Sequence, residues 1–562
     1  MHSTIKKLER LITNERKAAN ILFDNFPDSN LVIIELCKAL DFYVFVPDHE
    51  KTKNKSLILD RLQMSFPVLL KEAFNKVSFK NYFPKKSSKE LGISKSLDAF
   101  SFQTGELVYA QSLLDHAKAG FLSIQETTEN TFLIKYKPAS SSLEIIETSS
   151  WIEYFKRIEA GVERQIKVLA AQEDHIQNIM RELVEPSETA FIRYNTTPEI
   201  DYYYSQLGYY NFLSHEPYDL FAENALFGGV EYLKYVNVLM QLVGTAIKHT
   251  DYCFLLLEKH PQINLKDVIC IHYELEKLIS QYAQYMQIPE TEMTQIFSCL
   301  TATPENIECH IKDHKSFSPV FIKVSDDHVM RSITGTFNKP MMFLMRELKR
   351  QFPDDYHRNT EREDMFRKQV YSLFIEKQIQ KAKLLFAEQE VNIKSNGVHT
   401  DIDAAIFDTQ SQSLALFQLK WQDLYAHDLK ERRSRLSNYS KKAEEWIEKI
   451  SRWINTNDSQ TILQALKLTG KINKEQKVAN VYLFVVNKWN GHFTEFHPDP
   501  KAAWTSWYNL LVIMERVSLH SDNYIKELYL KLKEELPDFK SLSDLNKGYE
   551  FTFQTFKIVH KR

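Results

Sequence analysis

The chain has 562 residues, 43% of them hydrophobic and 26% charged, an ordinary globular composition that excludes wholesale disorder and collagen-like or low-complexity classes. At roughly 150 residues per domain the length implies three or four domain-sized units, and only 13 glycines favour long helices over glycine-rich β architectures. A net charge of -3 announces no polyanionic partner for the whole chain, although residues 351 to 562 carry 32 Lys+Arg against 29 Asp+Glu (+3), leaving -6 for the rest. The five cysteines are scattered without a CxxC pair, as expected of a reducing, cytoplasmic setting. The charged N-terminus lacks a signal-peptide core, and the best apolar stretch, Val236 to Ile247, is broken by Gln241, so no membrane association is expected.

In chain order, residues 1 to about 25 read as an amphipathic helix. The apolar runs Leu31 to Ile34 and Phe42 to Pro47 fit short strands or buried helix. Lys85 to Ser96 reads as a polar loop and Thr131 to Lys137 as a strand. From Trp151 to about Glu185 the charged periodic pattern predicts one long helix. Residues 200 to 300 read as mainly helical, with Pro186, Pro217, Pro261 and Pro289 as stops. PVFIKV (Pro319 to Val324) and VMRSIT (Val329 to Thr334) look like paired strands, Pro340 to Phe352 like a helix, and Pro353 to Thr360 like a linker in which Asn359 or Thr360 caps the next helix.

A change of character follows. Residues 361 to 390 predict a helix burying Phe366, Val370, Phe374 and Ile375; His399 to Asp408 a strand; Asp408 to Ser413 its turn; Ser413 to Trp421 the returning strand. Both strands are apolar on two faces, the mark of central strands, yet carry charge at adjoining ends. Alternation puts Asp401 and Asp403 on one face and Gln418 and Lys420 on one face of the neighbouring strand. A helix over Leu429 to Ile454 and an apolar strand over Val478 to Asn487 complete the pattern.

Asp403, fourteen residues, then Gln418-Leu419-Lys420 resembles the motif of the PD-(D/E)XK nuclease superfamily, in its QxK variant similar to Mrr-type restriction endonucleases. The resemblance covers about 130 residues. The chain as a whole reads as α+β, with a large, mainly helical N-terminal sensor or interaction region over 1-352, while the resemblance, silent on the first 340 residues, implies over 353-562 an α/β restriction-endonuclease-like domain with a mixed central sheet. It also implies a carboxylate on the helix before the first strand, for which Glu363 is the candidate and Glu361 the rival. Mg2+ (or Mn2+) would be held by Asp403, Glu363, the carbonyl of Leu419 and the amide oxygen of Gln418, with one metal rather than two because glutamine removes a charge. Lys420 would orient or help deprotonate the attacking water. Arg432, Arg433, Arg435 and Lys441 would contact the phosphates of DNA, or of RNA, although Glu431, Glu444, Glu445 and Glu448 make their helix mixed in charge.

Trp446, Ile450 and Trp453 are spaced as a buried stripe. His310 and His314, beside Cys309, suit a metal at i and i+4 but lack a second ligand pair; His272 and His215 stand alone. No GxxxxGK[ST], GxGxxG or GxSxG occurs. The function expected is metal-dependent hydrolysis of DNA in bacterial restriction or anti-phage defence, by a homodimer where both strands are cut. Its rivals are an inert nuclease-fold subunit for nucleic-acid binding or assembly, and a helical interaction scaffold in which Asp403 and Lys420 merely pair.

Overall fold

The computed structural model describes residues 2–23, 29–45, 55–77, 79, 93–120, 122–136, 138–187, 192–311, 318–358, 361–377, 379, 383–395, 397–421, 429–469, 475–489, 498–534 and 549–561. Helices and strands mix along the whole chain, with sheets of both parallel and antiparallel pairing, an α+β protein. Two compact units result: one of residues 1–134, 158–358 and 549–560, the other of 135–157, 359–548 and 561–562. The division falls after Arg358, six residues beyond the expected 352, and each unit takes in a segment the linear reading gave to the other.

In the first unit, helices His2–Phe23, Ser29–Phe45, Lys55–Phe74 and Ile93–Lys118 pack together. The runs Leu31 to Ile34 and Phe42 to Phe45 lie in one helix whose residues 30–41 are all buried. The expected loop at 85–96 falls partly outside the described residues, and its last four residues open the helix Ile93–Lys118. Strands Leu122–Thr128 and Thr131–Tyr136 share a sheet with Tyr549–Thr552 and Lys557–Lys561 from the far end of the chain. The expected helix 151 to 185 is two, Pro138–Ala170 and Glu173–Leu183, ended by the short strand Val184–Pro186. Helices Pro198–His215 and Tyr232–Lys259 cross at Gly208 and Gly244, where a Cβ on Gly208 would stand 2.3 Å from the Gly244 nitrogen. Phe321–Lys323 and His328–Arg331 are antiparallel, with Met330 opposite Ile322. The supposed linker is a short helix, Pro353–Arg358, whose acidic first turn and basic last turn suit the helix dipole; Asn359 and Thr360 lie outside the described residues.

The second unit holds helix α1 (Glu361–Glu376), strands β1 (Leu384–Phe386), β2 (Val391–Ser395), β3 (Val398–Ile402), β4 (Ala404–Asp408) and β5 (Ser413–Lys420), helices α2 (Leu429–Thr456) and α3 (Ser459–Ala465), strands β6 (Asn480–Asn487) and β7 (Ala502–Ser506), and helices α4 (Trp507–Arg516) and α5 (Tyr524–Glu534). The five-stranded sheet runs β1-β4-β5-β6-β7, antiparallel as far as β5 and parallel from β5 to β7. The parallel pair β5 and β6 is joined through helices, as a crossover requires. Leu414, Leu416, Leu483, Val485 and Trp504 meet Tyr439, Trp446, Ile447, Ile450 and Trp453 of α2 in one apolar cluster. On the opposite face Phe417 stacks on Phe484 at 4.8 Å and meets Phe374 of α1 at 6.3 Å. The Lys135–Arg157 segment belongs here through Trp151, whose ring lies 4.7 Å from Tyr508 of α4.

Two further expectations are corrected in the second unit. The helix from 361 ends at Glu376, and Ile375 is 60% exposed, outside its buried stripe of Phe366, Val370 and Phe374. The expected strand over 399 to 408 is two strands meeting at a bend on Asp403. β3 pairs with β2 in a separate hairpin, whereas β4 enters the main sheet.

Candidate metal centre at the Asp403 bend

The bend is held from three sides. The Arg367 guanidinium on α1 donates to the Asp403 carbonyl at 3.1 Å; the Ala405 amide donates to the Tyr371 hydroxyl, also on α1, at 3.1 Å; and Trp446 of α2 donates its indole N–H to the Asp401 carbonyl at 2.6 Å. The Asp403 amide donates to the Phe417 carbonyl at 3.1 Å, tying the bend to β5. Backbone groups that a broken ladder would leave unpaired are thus satisfied, and the Asp403 side chain projects at the end of β5.

Asp403 is 3% exposed. Its Oδ2 accepts the Leu419 amide N–H at 2.6 Å and a side-chain N–H of Gln418, and the Lys420 ammonium lies 3.8 Å away. All three contacts fall on one oxygen, and no described residue donates to Oδ1. Burial pushes the carboxyl up to about 6, with Lys420 opposing, Asp401 adding to the rise, and the two N–H donors lowering it. The group is therefore ionised at neutral pH but less comfortably than a surface aspartate.

Glu363, from the first turns of α1, and Glu390, just before β2, complete a cluster: one carboxylate oxygen from each of Glu363, Glu390 and Asp403 lies within 4.8 Å of the other two. Three carboxylates facing one point in the absence of a cation repel one another. An all-oxygen set with the free Oδ1 of Asp403 fits a hard divalent cation such as Mg2+. Asp403, Gln418, Lys420 and Glu363 are thus brought together. Gln418, however, turns its amide nitrogen to Asp403 where an oxygen ligand was expected, and Leu419 contributes its N–H. The Glu361 side chain lies outside the described residues, as do those of Arg432, Arg433 and Arg435 on α2. Lys441 is exposed on that helix beside exposed Lys442, Glu444, Glu445 and Glu448. Trp446, Ile450 and Trp453 are buried.

Glu390 was missed because residues 361 to 390 read as one helix. The signal available was the polar Glu388-Gln389-Glu390 between the apolar runs at Leu384 and Val391, which marks a connection between strands. Lys488 was missed too: it is fully buried, its Nζ donates to Gln369 of α1 at 2.7 Å and lies 4.9 to 5.7 Å from the ring centres of Trp421, Trp507, Trp489 and Phe366, and its amide donates to the Lys420 carbonyl at 2.8 Å.

In the first unit, Cys309, His310 and Glu347 also bring ligand atoms within 4.8 Å. His310 Nε2 lies 2.8 Å from Glu347, and its ring stacks on Phe343 at 4.2 Å. Arg350 contacts both Glu347 oxygens at 2.7 to 3.1 Å and Gln351 one at 3.0 Å. Burial would raise the Glu347 carboxyl, but the hydrogen bonds from His310 and Arg350 outweigh it and hold it at about 2; burial lowers His310. The guanidinium already fills the place of a cation. His314 lies outside the described residues, His215 bonds the Asn211 carbonyl at 2.8 Å, and burial beside His328 pulls His272 down to about 4.

No helix among the described residues is long and apolar enough to cross a membrane. No family model, curated protein or solved structure matches the chain.

Proposed function

We propose that the second unit is a metal-dependent nuclease that hydrolyses phosphodiester bonds, with DNA as substrate and Mg2+ or Mn2+ as cofactor. The observation that carries this reading is the convergence of Glu363, Glu390 and Asp403 within 4.8 Å, with Lys420 3.8 Å from Asp403. A bound divalent cation supplies electrophilic activation of the phosphate and an acidified water. Glu363, Glu390 and Asp403 are the residues that would hold it. Leu419 N–H and Gln418 aim Asp403 by occupying its Oδ2, which leaves Oδ1 for the ligand role. Lys420, the one ammonium in contact with Asp403 among the described residues, offsets negative charge that builds on the non-bridging oxygens as water attacks phosphorus and the P–O bond to the leaving group breaks.

The test is cleavage of plasmid DNA, single-stranded DNA and RNA, with Mg2+ or Mn2+, by wild type beside Lys420→Ala and Asp403→Ala. Metal-dependent cutting lost in both variants supports the reading, and preferential loss of RNA would move the substrate from DNA to RNA. A wild type that cuts nothing leaves an inert nuclease-like subunit, whose role would then lie in binding or assembly.

A further inference from the structure

Asn487 closes β6. It is fully buried, and both its Nδ2 and Oδ1 lack a hydrogen-bond partner. A buried amide left so loses its hydrogen bonds to water without replacement, and such an orphan calls for a reason.

Register supplies one. Across the parallel pair β5 and β6, Leu416 stands opposite Leu483, Gln418 opposite Val485 and Lys420 opposite Asn487. Leu416, Leu483 and Val485 all belong to the apolar cluster beneath α2, so alternation puts Gln418, Lys420 and Asn487 on that same face. Adjacent strands lie about 4.8 Å apart, which makes the Asn487 carboxamide the cross-strand neighbour of the Lys420 side chain. The Lys488 N–H to Lys420 carbonyl bond holds the two strand ends in this register. On the other side of β6, Asn487 is opposite Ser506, whose hydroxyl is already engaged by the Asn509 amide.

We propose that Asn487 is a positioning residue that acts through Lys420: its carboxamide oxygen is the acceptor to which the ammonium turns once Asp403 is engaged by a cation. The inference rests on the nuclease reading and names the regulation of that same site. In this structure Lys420 is directed at Asp403 Oδ2, 3.8 Å away. A divalent charge at the three carboxylates repels the ammonium and competes for Asp403. Lys420 then needs a second acceptor, and a neutral carboxamide in the next strand provides one without adding charge. A hydrogen bond from a charged donor is stronger than one from a neutral donor, so the carboxamide oxygen left unmet in the cation-free state becomes satisfied in the loaded state. Held there, Lys420 is turned away from the ligand carboxylates.

Asn487→Leu removes the amide at nearly constant shape, with Asn487→Ala as a second variant should leucine disturb folding. Melting would be followed in EDTA and in Ca2+, and Mg2+-dependent DNA cleavage measured in wild-type and Lys420→Ala backgrounds. The expected result is a variant that melts above wild type in EDTA, gains less from Ca2+ than wild type does, cuts at least tenfold more slowly, and slows the residual activity of Lys420→Ala no further. Unchanged cleavage, or the same loss in both backgrounds, overturns the inference and leaves the nuclease reading standing. A wild type that cuts nothing overturns the nuclease reading, and equal Ca2+ gains in wild type and variant then overturn this inference as well.

Discussion

Asp403 sits where burial and charge oppose each other. Its carboxyl is raised to about 6 from an unfolded value near ~4, so the folded state holds the proton more tightly. The ionised form therefore costs stability above pH 6, and that cost disappears below about pH 4, where both states are protonated. Asp403→Asn is expected to stabilise the protein at pH 8 by about 1–3 kcal/mol, a gain that vanishes at pH 4; urea unfolding at the two pH values measures it. On the proposed metal role a cation must displace the same proton, so Ca2+ affinity, read by calorimetry, should fall about tenfold per pH unit below pH 6. Glu390→Gln and Glu363→Gln should each weaken Ca2+ binding by at least tenfold while leaving the melting temperature in EDTA unchanged or higher, because each removes like-charge repulsion. A variant that binds Ca2+ as wild type does would remove its residue from the metal centre. Asp403, Gln418 and Lys420 were legible in the sequence as polar residues set among apolar strand residues: Gln418 and Lys420 stand on β5, and Asp403 between β3 and β4. Glu390 was not, because its place depends on a chain reversal that brings the start of β2 to the start of α1.

At the scale of elements, the hairpin β2-β3 and the bend that follows it were invisible as such. His399 to Asp408 alternates and is apolar, so it reads as one strand, and nothing local marks where pairing changes partner. The switch is decided by side chains from elsewhere: Arg367, Tyr371 and Trp446 take the carbonyls and the amide that the bend frees. Tyr371→Phe leaves the Ala405 amide without its acceptor and is expected to cost about 1–2 kcal/mol, with a lower melting temperature and slower cleavage at subsaturating Mg2+; unaltered metal dependence would show that the bend holds without it. α2 behaved as its spacing implied, with Trp446, Ile450 and Trp453 buried under the sheet and, among the described side chains, Lys441, Lys442, Glu444, Glu445 and Glu448 outward. α1 stopped at Glu376 because the apolar residues Leu384 to Phe386 continue as an edge strand against β4.

Over the whole molecule, the last strands, Tyr549–Thr552 and Lys557–Lys561, complete a sheet begun by Leu122–Thr128 and Thr131–Tyr136. Phe551 and Ile558 are buried there, and Thr555 bonds Glu15 of the first helix at 2.7 to 2.8 Å. Truncation before Tyr549 should therefore destabilise the first unit, exposing the Thr131–Tyr136 edge to aggregation, and proteolysis would show that unit cleaved first. If the truncated chain melts and resists protease as the full chain does, the pairing contributes nothing.

The sequence by itself determined part of the local structure: the buried stripe of α2, the apolar strands β5 and β6, and the charged residues set among apolar neighbours near Asp403 and Lys420, since these follow from the periodicity of burial. It also determined that no described helix is apolar enough to span a bilayer. Only the tertiary structure decided the rest. Glu390 meets Glu363 and Asp403, Asn487 stands unpaired beside Lys420, and the chain's end pairs with strands some 420 residues earlier, because strand partners and converging carboxylates are chosen by long-range packing, which leaves no period in the sequence.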